Sequence, residues 1–178
     1  QSEALTMSDR VAVFNKGKIE QIGTPRAVYD EPATRFVAEF IGETNLFEAQ
    51  VKSVNGKEAV VRLASGAEIV SAVSGSVTPG QNVLLSIRPE RIELSEVPGA
   101  AGNVLETQVT DSVYQGDHLR VQLHNTIHPL IAKLGRRSRE FEPGTTVFAT
   151  FSAGDCRVIV PLVPPPPAPD ARFCCSRR

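Results

Sequence analysis

The spacing of apolar positions changes character near residue 45. Before it, Val11-Ala12-Val13-Phe14 and Ile19-Glu20-Gln21-Ile22 flank Asn15-Lys16-Gly17-Lys18. That order predicts a hairpin in which Gly17 supplies the positive φ of the turn. Thr24-Pro25 predicts a helix start, with Thr24 as cap and Pro25 in the first helical position. A second helix is expected after Pro32, with Phe36, Val37, Phe40 and Ile41 on one face and its end at Gly42. Residues Gln1 to Ser8 read as the end of another helix. Two strands and two short helices do not enclose a core, so residues 1–44 read as the edge of a larger domain.

From Asn45 onward the pattern becomes short apolar runs separated by turn residues. Strands are expected over Leu46–Val54, Ala59–Leu63, Glu68–Val70, Asn82–Arg88, Arg91–Leu94, Asn103–Val113, His118–Leu123, Ile127–Lys133, Thr146–Phe151 and Arg157–Val160. Asn55-Gly56, Ser65-Gly66, Pro79-Gly80, Gln115-Gly116-Asp117 and Pro143-Gly144 punctuate them. Strands this short predict a small Greek-key barrel or sandwich. The region also repeats. Asn45-Leu46-Phe47-Glu48-Ala49-Gln50-Val51 returns as Asn103-Val104-Leu105-Glu106-Thr107-Gln108-Val109, and Pro79-Gly80-Gln81-Asn82-Val83 as Pro143-Gly144-Thr145-Thr146-Val147. The first offset is 58 residues and the second 64, which places extra length in the second unit, near Leu134–Glu142. Duplication lets each unit bury its apolar face against the other.

Pro164-Pro165-Pro166-Pro167-Ala168-Pro169 marks residues 163–178 as a tail of polyproline or disordered type. Nineteen Lys and Arg against twenty Asp and Glu give no electrostatic drive towards nucleic acid or anionic membrane. No apolar run is long enough for a membrane-spanning helix. Three cysteines, Cys156, Cys174 and Cys175, form no disulfide framework and favour a reducing compartment.

Candidate chemistry is sparse. Neither Gly-x4-Gly-Lys-Ser/Thr nor Gly-x-Gly-x-x-Gly occurs, so no phosphate cradle is available. His118, His124 and His128 lie close in sequence but lack a partner ligand at metal spacing, and read as surface histidines. Arg136-Arg137 with Arg139 is the one basic cluster, and Glu140 and Glu142 follow it. No nucleic-acid partner is expected.

The opening run, Gln1-Ser2-Glu3-Ala4-Leu5-Thr6-Met7-Ser8-Asp9-Arg10 through Ile22-Gly23-Thr24-Pro25, resembles the C-terminal end of ATP-binding-cassette import ATPases. Gln1 matches the Gln of that family's Thr-His-Asp-Gln switch sequence. Tyr29-Asp30-Glu31-Pro32 through Ile41-Gly42-Glu43-Thr44-Asn45 is similar to the linker of the polyamine, sugar and iron importers, closest to the spermidine/putrescine branch. Ile87-Arg88-Pro89-Glu90-Arg91-Ile92-Glu93-Leu94, with Val113-Tyr114-Gln115-Gly116, resembles the transport-associated OB (TOBE) domain. The phosphate loop, Walker B carboxylates, signature motif and switch histidine of the family are absent from the sequence.

The resemblance implies a mainly β fold: a duplicated OB-like TOBE barrel over 45–162, with repeats at about 45–95 and 103–160. A short α/β remnant of the nucleotide-binding domain precedes it at 1–44. It implies a non-catalytic regulatory and dimerisation part of an importer's ATP-binding subunit, without a cofactor or metal of its own; the parent would use ATP and Mg. Implied partners are a second copy, the permease subunits and a regulatory small molecule or protein, on the cytoplasmic face of the membrane. Arg88, Glu90, Arg91, Tyr114 and Gly116 are the candidates for regulatory or dimer contact. Arg88 and Glu90 flank Pro89 and equally suit a fold-stabilising pair. Phe36, Val37, Phe40 and Ile41 are the candidates for linker docking. The rival reading is a stand-alone oxyanion or metabolite binder of molybdate-binding type.

Overall fold

The computed structural model describes residues 7–99, 102–125 and 129–160. Strands β1 (Val11–Asn15) and β2 (Lys18–Gly23) form the expected hairpin, with Lys16 and Gly17 both at positive φ in its turn. Helix α1 (Pro25–Asp30) starts with the Thr24 side chain accepting from the Ala27 amide. Helix α2 (Arg35–Ile41) is capped in the same way by Thr34, which accepts from the Val37 amide. Of the helix expected at the start of the chain, residues 1–6 lie outside the described part.

These elements share a small core of Val13, Val28 and Val37, with Val11, Phe36 and Ile41 at its border. The apolar face expected on α2 needs correction. Val37 is buried against the hairpin, but the second buried residue is Ala38, which contacts Leu84 and Ile159 of the barrel. Phe40 is 42% exposed and stacks on Phe36, ring centroids 5.4 Å apart. A two-turn helix wedged between two bodies buries two adjacent stripes, and the alanine side lets the barrel approach closely.

The remainder is the duplicated β unit. Repeat one supplies β3 (Asn45–Asn55), β4 (Glu58–Leu63), β5 (Glu68–Val73), β6 (Asn82–Ile87) and β7 (Glu93–Ser95). Repeat two supplies β8 (Asn103–Tyr114), β9 (His118–His124), β10 (Pro129–Gly135), β11 (Thr146–Phe151) and β12 (Cys156–Ile159). Both β3 and β8 start with four alternating buried positions and bulge at equivalent places, after Val51 and after Val109. Val51 donates to the Gln81 carbonyl and accepts from Gly80; Val109 does the same with Thr145 and Gly144. The strand expected at Arg91–Leu94 starts two residues later, because Pro89 opens a 3-10 turn over Pro89–Arg91. The start of the strand expected at Ile127 falls outside the described residues.

The extra length of repeat two also sits elsewhere than expected. Val51 pairs with Val61, whereas Val109 pairs with Leu123. The β8–β9 hairpin is therefore four residues longer than its counterpart, and the remaining difference lies after it.

The two repeats do not close separately. A barrel runs in the order β12-β5-β4-β3-β6, so the last strand of repeat two sits between two strands of repeat one. It pairs antiparallel with β6 (Ile159 opposite Leu84) and parallel with β5. In return β7 of repeat one edges the second sheet, β10-β9-β8-β11-β7. The inner faces fuse into one hydrophobic core that includes Phe47, Leu85 and Ile87 from one repeat and Leu105, Leu123 and Phe151 from the other.

The first residue of each repeat locks this exchange. Asn45 donates from Nδ2 to the Ile131 carbonyl and accepts at Oδ1 from the Ile131 amide, both at 2.8 Å. Asn103 makes the same pair of bonds with Val70, again both at 2.8 Å. Each side-chain amide occupies the place of a neighbouring strand, reaching from one repeat to the β5 or β10 of the other. Both asparagines are buried. Replacing Asn103 by Ala orphans a buried amide and carbonyl, so N103A should lower unfolding free energy by about 2 kcal/mol in urea titration. N45A should cost a similar amount. A cost within error of zero for both would sink the clamp as a stabilising device.

Candidate functional site

The densest polar cluster lies where the N-terminal unit meets the barrel. Arg88 follows the last residue of β6 and precedes Pro89, which holds it extended at φ −72° and ψ 135°. Its side chain is thereby aimed under the linker. Nη1 donates to the carbonyls of Ala38 (3.1 Å), Gly42 (3.2 Å) and Glu43 (3.3 Å), and Nη2 to the carbonyl of Tyr29 (2.9 Å). The guanidinium carbon lies 4.2 Å from the centroid of the Tyr29 ring. The carbonyls of Ala38 and Gly42 belong to the end of α2, where backbone acceptors lack helical partners and the dipole favours a cation. Arg88 is 5% exposed, and burial pulls its pKa down while Tyr29, Glu90 and Asp30 act in the opposite sense.

Around this buried fork runs a ring of exposed and half-buried charges. The Tyr29 hydroxyl donates to Glu90. Arg91 stands 3.7 Å from both Asp30 of α1 and Asp155 of the second 3-10 turn, Ala153–Asp155. Arg157 of β12 stands 3.5 Å from Glu31. A polar cavity of about 210 Å³ lies among these groups, lined by Arg26, Asp30, Arg91, Asp155 and Arg157. On the far side of the linker, Glu43 receives Arg120 at 2.7 Å and Lys133 at 3.1 Å, both from repeat two. Hydrogen bonding from Arg120 leads the causes that hold the Glu43 carboxyl below its usual range.

The candidates read from sequence separate into two places. Arg88, Glu90 and Arg91 come together at the seam, but their roles differ. Arg88 is committed to backbone carbonyls inside the chain and forms an internal clasp. Glu90 is tied to Tyr29 and not to Arg88. Tyr114 and Gly116 lie apart from them, at the tip of the β8–β9 hairpin. There the exposed Tyr114 hydroxyl donates to the Gly116 carbonyl, and Gly116 takes φ 91°. Of the docking candidates Val37 is buried, Phe36 and Ile41 are half-buried, and Phe40 faces outward.

Tyr29 and Glu43 were not singled out from sequence, because each takes its role from a partner more than fifty residues away. His118 bonds Asp117 at 2.6 Å, and His128 lies outside the described residues. Arg139 pairs with Glu96 at 3.0 Å.

The glycine that precedes a helix, Gly23, is followed by Thr24 and Pro25, and proline has no N–H to offer a phosphate. Among the described residues no group of three or more His, Cys, Asp or Glu is placed to hold a metal. No described helix is long and apolar enough to cross a membrane.

Comparison with known proteins places this geometry. The TOBE domain family matches residues 85–159, from the end of β6 to the end of β12. The spermidine/putrescine import ATP-binding protein PotA of Roseobacter denitrificans is 38% identical over 165 residues, which cover 89% of this chain and 45% of that protein. The Trichormus variabilis protein of the same name is 38% identical, covering 89% of this chain and 43% of its own. PotA 1 of Pseudomonas aeruginosa is 42% identical over 123 residues, covering 69% and 33%. The chain thus spans less than half the length of these relatives. Among solved structures, the cytoplasmic molybdate-binding protein ModG superposes with a TM-score of 0.60 at 16% identity, over 74% of this chain and 99% of its own. That likeness is one of fold.

Two measurements test the seam. A lysine cannot present a planar fork to four carbonyls. R88K should therefore cost about 2–3 kcal/mol in urea titration, in line with hydrogen bonds from a charged donor. The Tyr29 phenol is pushed up from 10.0 to about 12, first by burial and then by its bond to Glu90. A phenol that keeps its proton more tightly when folded favours the fold below its unfolded pKa. That contribution should fade between about pH 10 and about pH 12. The urea midpoint of Tyr29→Phe should lack this alkaline decline; an unchanged decline would assign it elsewhere.

Proposed function

From a chain that carries a TOBE domain and resembles spermidine/putrescine import ATP-binding proteins over 89% of its length, we propose a regulatory part of such a subunit. In this reading it couples a nucleotide-binding domain to a duplicated barrel. The observation that carries it is that the likeness spans both sides of the Arg88 seam, since 165 aligned residues exceed either side alone. The linker carbonyls gripped by Arg88, together with Glu43 held by repeat two, make a rigid mount between α2 and both repeats. ATP, its magnesium and the hydrolytic groups belong to the portion that the relatives have beyond the matched region. In this reading the described residues serve as mount and barrel, and hydrolysis is the work of the nucleotide-binding domain.

The imported solute is a polyamine, on the names of the relatives. The partners are a second copy of the subunit and the permease subunits at the cytoplasmic face of the membrane. A regulatory metabolite or protein is a further partner. The second reading, an oxyanion binder, rests on the shared fold with the molybdate-binding protein.

A chimera separates them. The matched portion of the Roseobacter protein is replaced by this chain, and the product is expressed with that organism's permease subunits in a transport-deficient strain. Spermidine uptake should be restored, and calorimetric titration of the purified chain with molybdate should give no heat of binding. A folded chimera that hydrolyses ATP without uptake, or micromolar molybdate binding by the chain, would overturn the proposal.

A further inference from the structure

We propose that the unclosed edge of the second sheet, between β7 and β10, binds a small zwitterion with an apolar side chain: a free amino acid of the phenylalanine or leucine kind. The site shows itself when the two repeats are compared.

In the first barrel the last strand closes the ring. Strand β12 pairs parallel with β5, Arg157 opposite Ala72 and Val158 opposite Val73. The counterparts of these residues are fixed by pairing. Glu93 and Arg157 are 64 residues apart, as are Thr150 and Ser86, which lie opposite them. The asparagine clamps equate Val70 of β5 with Ile131 of β10. Equivalent closure would therefore set Glu93 and Leu94 beside Lys133 and Leu134. Among the described residues no such ladder forms: β7 pairs with β11 alone and β10 with β9 alone. The unjoined residues instead wall a cavity of about 440 Å³. Phe141 lines it where the first repeat has Val77, each three residues before the glycine of its Pro-Gly turn.

Two properties select the ligand. The first is the floor. Ile92, Leu94, Leu134 and Phe141 line the cavity and pack into the main core, so an apolar body is favoured there. The second is charge. Glu90, Glu93, Lys133 and Arg139 are the charged groups of the lining. Glu90 is held by the Tyr29 hydroxyl, and Lys133 by Glu43 at 3.1 Å. Glu93 is exposed and makes no hydrogen bond or ion pair among the described residues. Arg139 meets Glu96 at 3.0 Å in a surface pair, a kind of contact that contributes little. One available group of each sign over an apolar floor matches an ammonium and a carboxylate on one molecule. The ammonium donates to Glu93, and the carboxylate accepts from Arg139. A simple anion or a diamine would meet one of the two with like charge. Mostly apolar lining with a few placed polar groups at a barrel mouth is the usual form of a small-molecule site. The site is independent of the transport reading, and its test reads binding and not uptake.

Titration of the full chain with L-phenylalanine should give saturable amide shift changes at Glu93, Leu94, Leu134, Ser138 and Phe141. Those of the β1–β2 hairpin should stay in place. Hydrocinnamate and phenethylamine each lack one charge and should bind about tenfold more weakly, the worth of one charge-assisted hydrogen bond. Both Glu93 and Arg139 are at the surface, so their neutral variants leave the core intact. E93Q should weaken phenylalanine by a similar factor while leaving hydrocinnamate unchanged. R139Q should weaken phenylalanine while leaving phenethylamine unchanged.

Shift changes that fail to saturate, or that fall outside the cavity, would overturn the site. Binding of either single-charge analogue as tight as that of phenylalanine would overturn the zwitterion. An E93Q chain that weakens all three ligands alike would overturn the assigned contact, since a damaged cavity and not a lost partner would then explain it.

Discussion

Two side-chain amides, from Asn45 and Asn103, do the work that main-chain pairing does elsewhere in the sheets. Each faces the amide and carbonyl of a single residue in the opposite repeat and satisfies both at 2.8 Å. Backbone polar groups buried without partners cost enough to dissolve a marginal interface. The amides therefore permit β5 and β10 to lie where no strand can be added at those points. With those positions closed, β7 and β12 cross over, the two inner faces merge and a single core forms. Cys156 belongs to the same arrangement, since its thiol lies 3.3 Å from the carbonyl of Val70.

The seam with the N-terminal unit follows from that exchange. The 3-10 turns that precede the last strand of each repeat are brought to one side of the barrel, so Arg91 of one faces Asp155 of the other. The end of β6 points Arg88 at the linker. Tight and loose contacts are divided by depth. The buried guanidinium meets carbonyl oxygens at 2.9 to 3.3 Å, whereas the outer, partly exposed ion pairs stand at 3.5 to 3.7 Å. Exposed pairs of that kind contribute little. The mount rests on Arg88 and on Glu43, held by Arg120 and Lys133, and the mini-core of Val13, Val28 and Val37 remains separate from the main core.

Much of this was legible in the chain itself. The hairpin, both capped helices and nearly every strand follow from turn residues and apolar period. The duplication follows from the paired phrases at Asn45 and Asn103. What escaped is non-local. Exchange of β7 and β12 leaves no mark on the sequence, because a strand reads the same whichever sheet receives it. Arg88 and Glu90 looked like a pair across Pro89, yet each is claimed by Tyr29 or the linker, residues that only the folded chain brings near. Ala38 was passed over for Phe40 because apolar size, and not available space, governed the expectation. The recurrence of asparagine at the head of both repeats was the one written signal for the clamp.

The placement of β12 has a consequence for how the chain comes to be folded. Ribosomes deliver sequence from the N-terminus, and the first barrel lacks one of its five strands until residues 156–159 have emerged. A nascent chain through repeat one must wait with the flanks of β5 and β6 unpaired. Closing that gap joins residues separated by most of the β region, which raises contact order and slows folding. Neither repeat is thus an autonomous folding unit, and the ring closes with β12, which is made well after its neighbours β5 and β6.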